Sequence, residues 1–432
     1  TIDADGLKRV LERAAAEKWE TLALVGAATG EWSDLKPWHI NARAFRLSYR
    51  WTEVPRALLE LSALRSLAIN NLYIRDAAAA TIAENLTGLR TLNLSGNLIG
   101  RNGAQAISER LSHLTSLYFA NNKIGHAGAQ EIAQRLSGLT TLDLAYSKIG
   151  DVGVRAISDQ LSDLVTLRLS GNQIGDAGAR AIAERLISLS ALSLDSNWIS
   201  KFGARAIGVR LTGLSKLDLS HNRVGDESAL VIAQRLTQLS TLNLSGSQIS
   251  SVGAVALAEH LTDRLTSLNL SHNQIGPAGA EAIAKRLPGL TSLNLSYNQV
   301  GTLGARTIAE ELQSLTTLDI SHNSIDVLPL ELVRISRLCW LNVDGNPLHN
   351  FPPELARTTN ATQILAFLRR FASEARRRLN EAKLLLVGQG GVGKTSLARR
   401  LCDKSFDPKE GKTEGIGRIS WKVRSKYLEE LV

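Results

Sequence analysis

Apolar positions along most of the chain return on a 25-residue cycle. Residues 89–111 read LRTLNLSGNLIGRNGAQAISERL, and residues 114–136 read LTSLYFANNKIGHAGAQEIAQRL. The same frame restarts at 139, 164, 189, 214 and 239, then at 265, 290 and 315 after one extra residue near Asp263-Arg264. Within each cycle a segment such as Leu92-Asn93-Leu94 alternates apolar and polar, which predicts a short strand. A turn follows, then I-G-x-x-G-A, as in Ile99-Gly100-Arg101-Asn102-Gly103-Ala104. Ala104, Ile107, Ser108 and Leu111 stand at i, i+3, i+4 and i+7, the spacing of a short helix whose small face packs on the strand layer. A unit this short cannot bury its apolar face alone, so the repetition predicts a solenoid. Successive strands starting at Leu22, Phe45, Leu67, Leu92 and onward to Leu318 and Leu341 give about 14 turns. The end turns are shorter, and Ile325-Asp326-Val327-Leu328-Pro329 trades the helix for a tighter convex side. Trp32, Trp38 and Trp51 fall in the irregular first turns, where bulky rings are expected to cap the stack.

The polar positions of the cycle are as regular. Asn97 is matched by Asn122, Asn172, Asn197, Asn222, Asn273, Asn298, Asn323 and Asn346, with Leu72, Ser147 and Ser247 breaking the column. A buried asparagine stack is expected, because each amide can satisfy backbone groups left unpaired where the chain leaves a strand. Arg110, Arg135, Arg185, Arg210, Arg235 and Arg286 close the helices, where a cation complements the C-terminal dipole. They read as a solvated convex face rather than a binding stripe. The inward strand positions are Asn93, Tyr118, Asp143, Arg168, Ser193, Asp218, Asn243, Asn269, Asn294, Asp319 and Asn342, polar and mildly acidic, a surface for a protein partner. His221, His272 and His322 share one site in alternate turns. Two strand spacings of roughly 9–10 Å would keep them from one metal ion.

The pattern L-x-x-L-x-L-x-x-N-x-I-G-x-x-G-A resembles the leucine-rich-repeat family in its helix-bearing form. The resemblance implies an α/β horseshoe whose concave arc, on the order of 60 Å long at the usual strand spacing, takes a protein ligand.

Composition narrows the picture. Of 432 residues, 44% are apolar and 21% charged, which excludes a disordered or collagen-like chain. No run of 18 apolar residues predicts a membrane span, and the polar start is no signal peptide. Methionine is absent even at position 1, so a fragment or processed piece is expected. Cys339 and Cys402 lie in different segments, which excludes a disulfide framework and points to the cytoplasm. Residues 351–432 hold 17 Lys/Arg against 9 Asp/Glu, while the rest holds 33 against 32. A nearly neutral body with a short basic tail argues against nucleic acid as partner.

Past Pro352-Pro353 the repeat ends. Ile364, Leu365, Leu368, Phe371, Ala375 and Leu379 keep helical spacing, with Arg369, Arg370, Arg376, Arg377 and Arg378 elsewhere on the helix. This basic amphipathic stretch reads as a connector packed on the next domain, with a membrane or acidic partner as the alternative. The apolar run Lys383-Leu384-Leu385-Leu386-Val387 predicts a buried strand. It leads into Gly388-Gln389-Gly390-Gly391-Val392-Gly393-Lys394-Thr395 and then the helical stretch starting at Ser396. This is the phosphate-binding G-x-x-x-x-G-K-[ST] loop in its required strand-to-helix setting. Glycines let backbone N–H groups converge on phosphate oxygens, and the helix N-terminus adds positive potential. Lys394 is expected to reach the β- and γ-phosphates, and the Thr395 hydroxyl to hold Mg²⁺.

Phe406 and Thr413 follow Lys394 by 12 and 19 residues. These offsets resemble the Ras-like GTPases, in which such a Phe packs on guanine and such a Thr closes on Mg²⁺ and the γ-phosphate. Repeats ahead of L-N-E-A-K-L-L-L-V-G-Q-G-G-V-G-K-T-S-L, then T-E-G-I and the Trp-bearing stretch Ile419-Ser420-Trp421-Lys422-Val423, resemble the bacterial Roco family. That resemblance implies a Roc domain binding GTP or GDP with Mg²⁺ through Gly388–Ser396, Phe406 and Thr413, the metal held by Thr395 and Thr413. It also implies GTPase activity and homodimerisation through a downstream COR domain in a full-length protein. No D-x-x-G or N/T-K-x-D motif follows the loop here, so the 432-residue chain is expected to hydrolyse GTP poorly if at all. The expected organisation is a cap and first repeat over 1–45, repeats over 46–358, a basic helical linker over 359–380 and an incomplete Roc domain over 381–432. Three other readings stand beside this one. An immune-type NB-ARC or NACHT ATPase shares the loop, but its repeats usually follow the nucleotide domain. A plain interaction scaffold, and a ligase using Cys402 on the apolar side of the post-loop helix, are the others.

Overall fold

The computed structural model describes residues 3–26, 43–47, 53–261, 264–374, 396, 397 and 400. The chain divides into two compact units, Thr1–Ala372 and Ser373–Val432. Trp32, Trp38 and Trp51, proposed above as caps, lie outside the described residues.

The first unit is built on a parallel sheet, fourteen-stranded among the described residues. The strands are β1 (Thr21–Gly26), β2 (Arg43–Leu47), β3 (Ser66–Asn70), β4 (Thr91–Asn93), β5 (Ser116–Tyr118), β6 (Thr141–Asp143) and β7 (Thr166–Arg168). They continue as β8 (Ala191–Ser193), β9 (Lys216–Asp218), β10 (Thr241–Asn243), β11 (Ser267–Asn269), β12 (Ser292–Asn294), β13 (Thr317–Asp319) and β14 (Trp340–Asn342). From β3 to β14 neighbours follow chain order with no slip, so Leu92 pairs with Leu117, Leu117 with Leu142, and Leu142 with Leu167. A one-residue slip would turn every buried leucine outward, which is what holds this register.

The first turns depart from the expected order. β1 pairs with β3, Leu22 opposite Leu67 and Leu24 opposite Ile69, and β2 lies on the other side of β1. The strand at Phe45 therefore does not stand between those at Leu22 and Leu67. The reason is burial. Leu22, Ala23, Leu24 and Val25 are all buried, and an apolar strand of this kind needs neighbours and cover on both faces. The sequence RAFRL, with two arginines, suits an edge. Ahead of β1 a helix over Ala4–Ala16, which the repeat pattern did not reveal, buries Leu7, Leu11 and Ala14. Asp3 caps it by accepting from the backbone N–H of Gly6 at 2.7 Å.

Each repeat helix buries the four positions its spacing predicted. For the helix Arg101–Arg110 these are Ala104, Ile107, Ser108 and the C-cap Leu111, and Gly103 is buried as well. The helices approach closely enough to require the second glycine of I-G-x-x-G-A. A Cβ on Gly178 would stand 2.6 Å from an Asp151 carboxylate oxygen and 2.7 Å from Ile174 Cγ2. One repeat, with Leu164, Leu167, Leu169, Ile174, Ile182 and Leu186 at 0% exposure, gains about 2 kcal/mol from each of these side chains.

The C-terminal end of the stack differs from expectation as well. The helix Ala361–Glu374 buries Ala361, Ile364, Leu365 and Leu368 in the same core as the repeats. Phe367 packs edge-on against buried Phe351, ring centroids 5.0 Å apart. Its apolar face thus closes the repeat stack, whereas a connector packed on the next domain was expected. No described helix is long and apolar enough to cross a membrane.

Candidate functional site

Behind the inner face runs the asparagine ladder. Asn172 Oδ1 accepts from the backbone N–H groups of Ser147 (3.0 Å) and Ile149 (3.2 Å), and its Nδ2 donates to the carbonyls of Leu144 and Ser170. Asn323 repeats the scheme with Asn298, Val300, Leu295 and Ser321. The serines do not simply break the column. Ser147 Oγ donates to the carbonyls of Phe119 and Ala145, and Ser247 Oγ to those of Leu219 and Ser245. A serine therefore keeps the donor half of the ladder and drops the acceptor half.

A second ladder, absent from the sequence reading, joins repeats at the helix starts. Asp176 Oδ1 accepts from the backbone N–H of Ser200 (2.8 Å) and Gly203 (2.9 Å) of the next repeat, and its Oδ2 accepts from the Ser200 hydroxyl. Asp76, Asp151 and Asp226 do likewise for Gly100, Gly175 and Ser250. A carboxylate there meets both the unpaired N–H groups and the positive end of the next helix. The signal was available as Asp in I-G-D-x-G at 151 and 176.

The inner face carries the residues expected to face a ligand, except that Asn93 and Asp143 are buried, and most of them also shape the backbone. Asn93, Asp143, Asp218, Asn243, Asn269, Asn294, Asp319 and Asn342 each accept, through Oδ1, from the backbone N–H two residues on, at 2.8–3.2 Å. This is the Asx turn, which asparagine and aspartate serve equally. Further hydrogen bonds link the column: Asn243 Nδ2 to Asp218 Oδ2 at 2.9 Å, and Asn342 Nδ2 to Asp319 Oδ2 at 3.4 Å. Over β7 to β14 the face encloses a trough of about 1010 Å³, lined by Arg168, Lys216, Asp218, Asn269 and Asp319 among others and ending at Trp340.

Burial pushes the carboxyl groups of Asp143 and Asp218 above the ordinary carboxylate range. Hydrogen bonds from Ala145 N–H and from Ser220, together with Arg168 near Asp143, offset only part of this, and the Asp195 charge adds to it at both. Asp195 itself accepts from the hydroxyls of Ser170 and Ser193.

The column after the inward strand positions runs left-handed from Asn71 to Gly345, and rings stack along it. Tyr297 lies between His272 and His322, with centroids 4.2 and 4.1 Å apart and planes within 14° and 12°. The two histidines flank a tyrosine, so the spacing argument that kept them from one metal holds with a ring in the gap. Gly345 (φ +68°) ends the ladder, since a Cβ there would stand 2.3 Å from the His322 ring. With their faces engaged in stacking, these rings present polar edges to solvent.

Of the nucleotide-site residues, Gly388, Gln389, Gly390, Gly391, Val392, Gly393, Lys394, Thr395, Phe406 and Thr413 lie outside the described residues. Also outside are Cys402 and the stretch Ile419–Val423. Ser396 and Leu397 are helical.

Comparisons with known proteins find two kinds of segment. Leucine rich repeat families match residues 86–108, 110–133, 138–158, 160–183, 212–233, 236–258, 265–284 and 288–348. The family described as Ras of Complex, Roc, domain of DAPkinase matches residues 383–430. A curated relative from an unknown prokaryotic organism, a Roc-COR-CHAT protease, is 28% identical over 104 residues, 22% of this chain. The match takes in 10% of that relative, so the chain spans only about a tenth of its length. Among solved structures, an internalin (inlF) from Listeria monocytogenes shares the repeat fold. It has a TM-score of 0.51 at 21% identity over 71% of this chain and 82% of its own. A Leptospira interrogans LRR protein aligns at 20% identity and a TM-score of 0.47, over 85% of this chain and 98% of its own. The chain thus belongs to the leucine-rich-repeat proteins, its repeats followed by a segment that matches the Roc domain, an order consistent with a Roco protein.

Proposed function

We propose that the chain is the sensing and nucleotide-binding portion of a Roco-type GTP-binding signalling protein, acting in the cytoplasm. The observation that carries this reading is the Roc match over 383–430, which takes in the whole loop Gly388–Thr395 and Thr413, directly after the repeats. In this reading the backbone of Gly388–Gly393 cradles the phosphates, and Lys394 neutralises the β- and γ-phosphate charge. Thr395 and Thr413 hold Mg²⁺, Ser396 adds a donor at the helix start, and Phe406 packs on guanine. The inner face of the repeats engages a protein partner, and pairing of two chains falls to a COR domain downstream. Repeats preceding the loop, together with the offset of Thr413, favour this over an immune-type ATPase.

The test is titration of the chain with a fluorescent guanine nucleotide in Mg²⁺. Lys394→Ala removes a charge-assisted contact of about 2–3 kcal/mol, so affinity should fall roughly 30- to 150-fold. Equal binding by the variant overturns the phosphate-loop assignment. Displacement by ATP as effective as by GTP overturns the guanine assignment in favour of the ATPase class.

A further inference from the structure

We infer that the inner face of the repeats binds an extended polypeptide segment carrying two clusters of Lys or Arg about six residues apart. The inference deepens the proposed reading of this face as a protein-binding surface and rests on it, but it is independent of the nucleotide site.

Charge distribution is the first argument. The chain as a whole is +9, yet the inner face is acidic. Across β4–β14, the inward positions, together with the residues two before and two beyond each, carry Asp143, Asp195, Asp218, Asp319 and Asp344. Against these five stand only Arg168 and Lys216. Every ion pair among the described residues lies on helices, their caps or the 3-10 turn, for instance Arg135 with Glu109 and Arg185 with Asp159. None of the five inner-face aspartates is in one. The ion pairs thus lie on the outside, while on the inside Arg168 offsets part of the Asp143 charge and the five carboxylates stand outside any ion pair.

The second argument is that the turn does not ask for the charge. At the inward position, Asn93, Asn243, Asn269, Asn294 and Asn342 make the same Asx bond that Asp143, Asp218 and Asp319 make. Asparagine satisfies the backbone without the cost of desolvating a charge. At Asp218 and Asp319 the second carboxylate oxygen also accepts from the amide of Asn243 and Asn342, and beyond that one bond the aspartate adds negative potential along the inner face. A cationic partner is the chemistry that uses it.

The spacing specifies the partner further. Asp143, Asp195 and Asp218 group at β6–β9, and Asp319 and Asp344 at β13–β14, with Asn243, Asn269 and Asn294 between. From Asp218 to Asp319 is four strand steps, about 19 Å, which about six residues of extended chain span. The asparagines between them, each with an amide to share, suit the peptide groups of the intervening segment.

The test uses the whole chain and a ten-residue fluorescent peptide with Lys-Arg at each end and six neutral residues between. Its comparison peptides have the cations replaced by glutamine, or all four placed together. The spaced basic peptide should bind, and the clustered one at least fivefold more weakly. The triple variant Asp143→Asn, Asp218→Asn, Asp319→Asn keeps the turns, so its circular dichroism should match the parent while its Kd rises at least tenfold. Glu131→Gln, on the helical side, should leave Kd unchanged. Binding of the spaced peptide that is unchanged in the triple variant overturns the proposal, and so does no binding up to millimolar peptide. If the glutamine peptide binds as tightly, the charge inference fails while the reading of this face as peptide-binding stands.

Discussion

Single side chains in this protein act across repeat boundaries, and their energetics follow from how many groups each one satisfies. Asn172 serves two backbone donors of the preceding repeat and two carbonyls, all in the interior. Its replacement by alanine strands all of them, and a buried unsatisfied group costs about 1–3 kcal/mol. Asn172→Ala should therefore lower stability to urea by on the order of 3 kcal/mol. Asn172→Ser should cost about half of that, because Ser147 and Ser247 show the hydroxyl taking over the donor role. Equal losses in the two variants would remove the ladder as the explanation. Asp176→Ala tests the second ladder: it deprives Ser200 and Gly203 of their acceptor and should cost about 1–2 kcal/mol. An unchanged urea midpoint would count against the inter-repeat cap.

Elements are where the sequence was most and least informative. The 25-residue period, the strand at L-x-L and the helix face at Ala104, Ile107, Ser108 and Leu111 were all legible, because each repeat presents the same burial problem and solves it identically. The strand order at the start was not. Spacing says that Leu22, Phe45 and Leu67 begin strands but not which side of β1 the second one joins, and only the burial of β1 on both sides decides it. The ring ladder is half legible: the spacing puts the histidines in one column, while Tyr297, one repeat from each, breaks the histidine pattern and shows only in the stacking. The phosphate-loop motif stands in eight consecutive residues of the sequence, 388–395, which lie outside the described residues. The closing helix was misplaced because amphipathic spacing shows that a face is buried without showing against what. Its role in closing the stack has a consequence. Ile364, fully buried, meets the last repeats, and Ile364→Ala should cost about 2–5 kcal/mol. Because each repeat touches only its neighbours, the damage should concentrate at one end. Hydrogen exchange should speed up over β13 and β14 and stay unchanged over β4–β7. Uniform loss of protection would show that the helix is not an end cap.

At the scale of the whole molecule, the opposition between a basic chain and an acidic inner face predicts an unusual dependence on pH. Most carboxylates of a folded protein are held below their ordinary range and stabilise it at neutral pH. Asp143 and Asp218 are shifted the other way, chiefly by burial. Their folded forms keep a proton to higher pH than the unfolded chain does. In the window between the ordinary 3.8 and the raised values, the native state binds more protons, so stability falls as pH rises. Above that window both states are ionised and the full cost of the buried charge is present. Below 3.8 both are neutral and the cost is gone. The double variant Asp143→Asn, Asp218→Asn keeps the turn bonds and has no charge to desolvate. Its Tm should exceed that of the parent at pH 7, and the excess should shrink as the pH is lowered toward 4. A Tm that falls in the variant, or a gain that grows toward acid, would mean that these carboxylates are compensated within the fold. A saturating basic peptide should narrow the same gap at pH 7 by raising the Tm of the parent more than that of the variant, since bound cations relieve the charge that the asparagines remove.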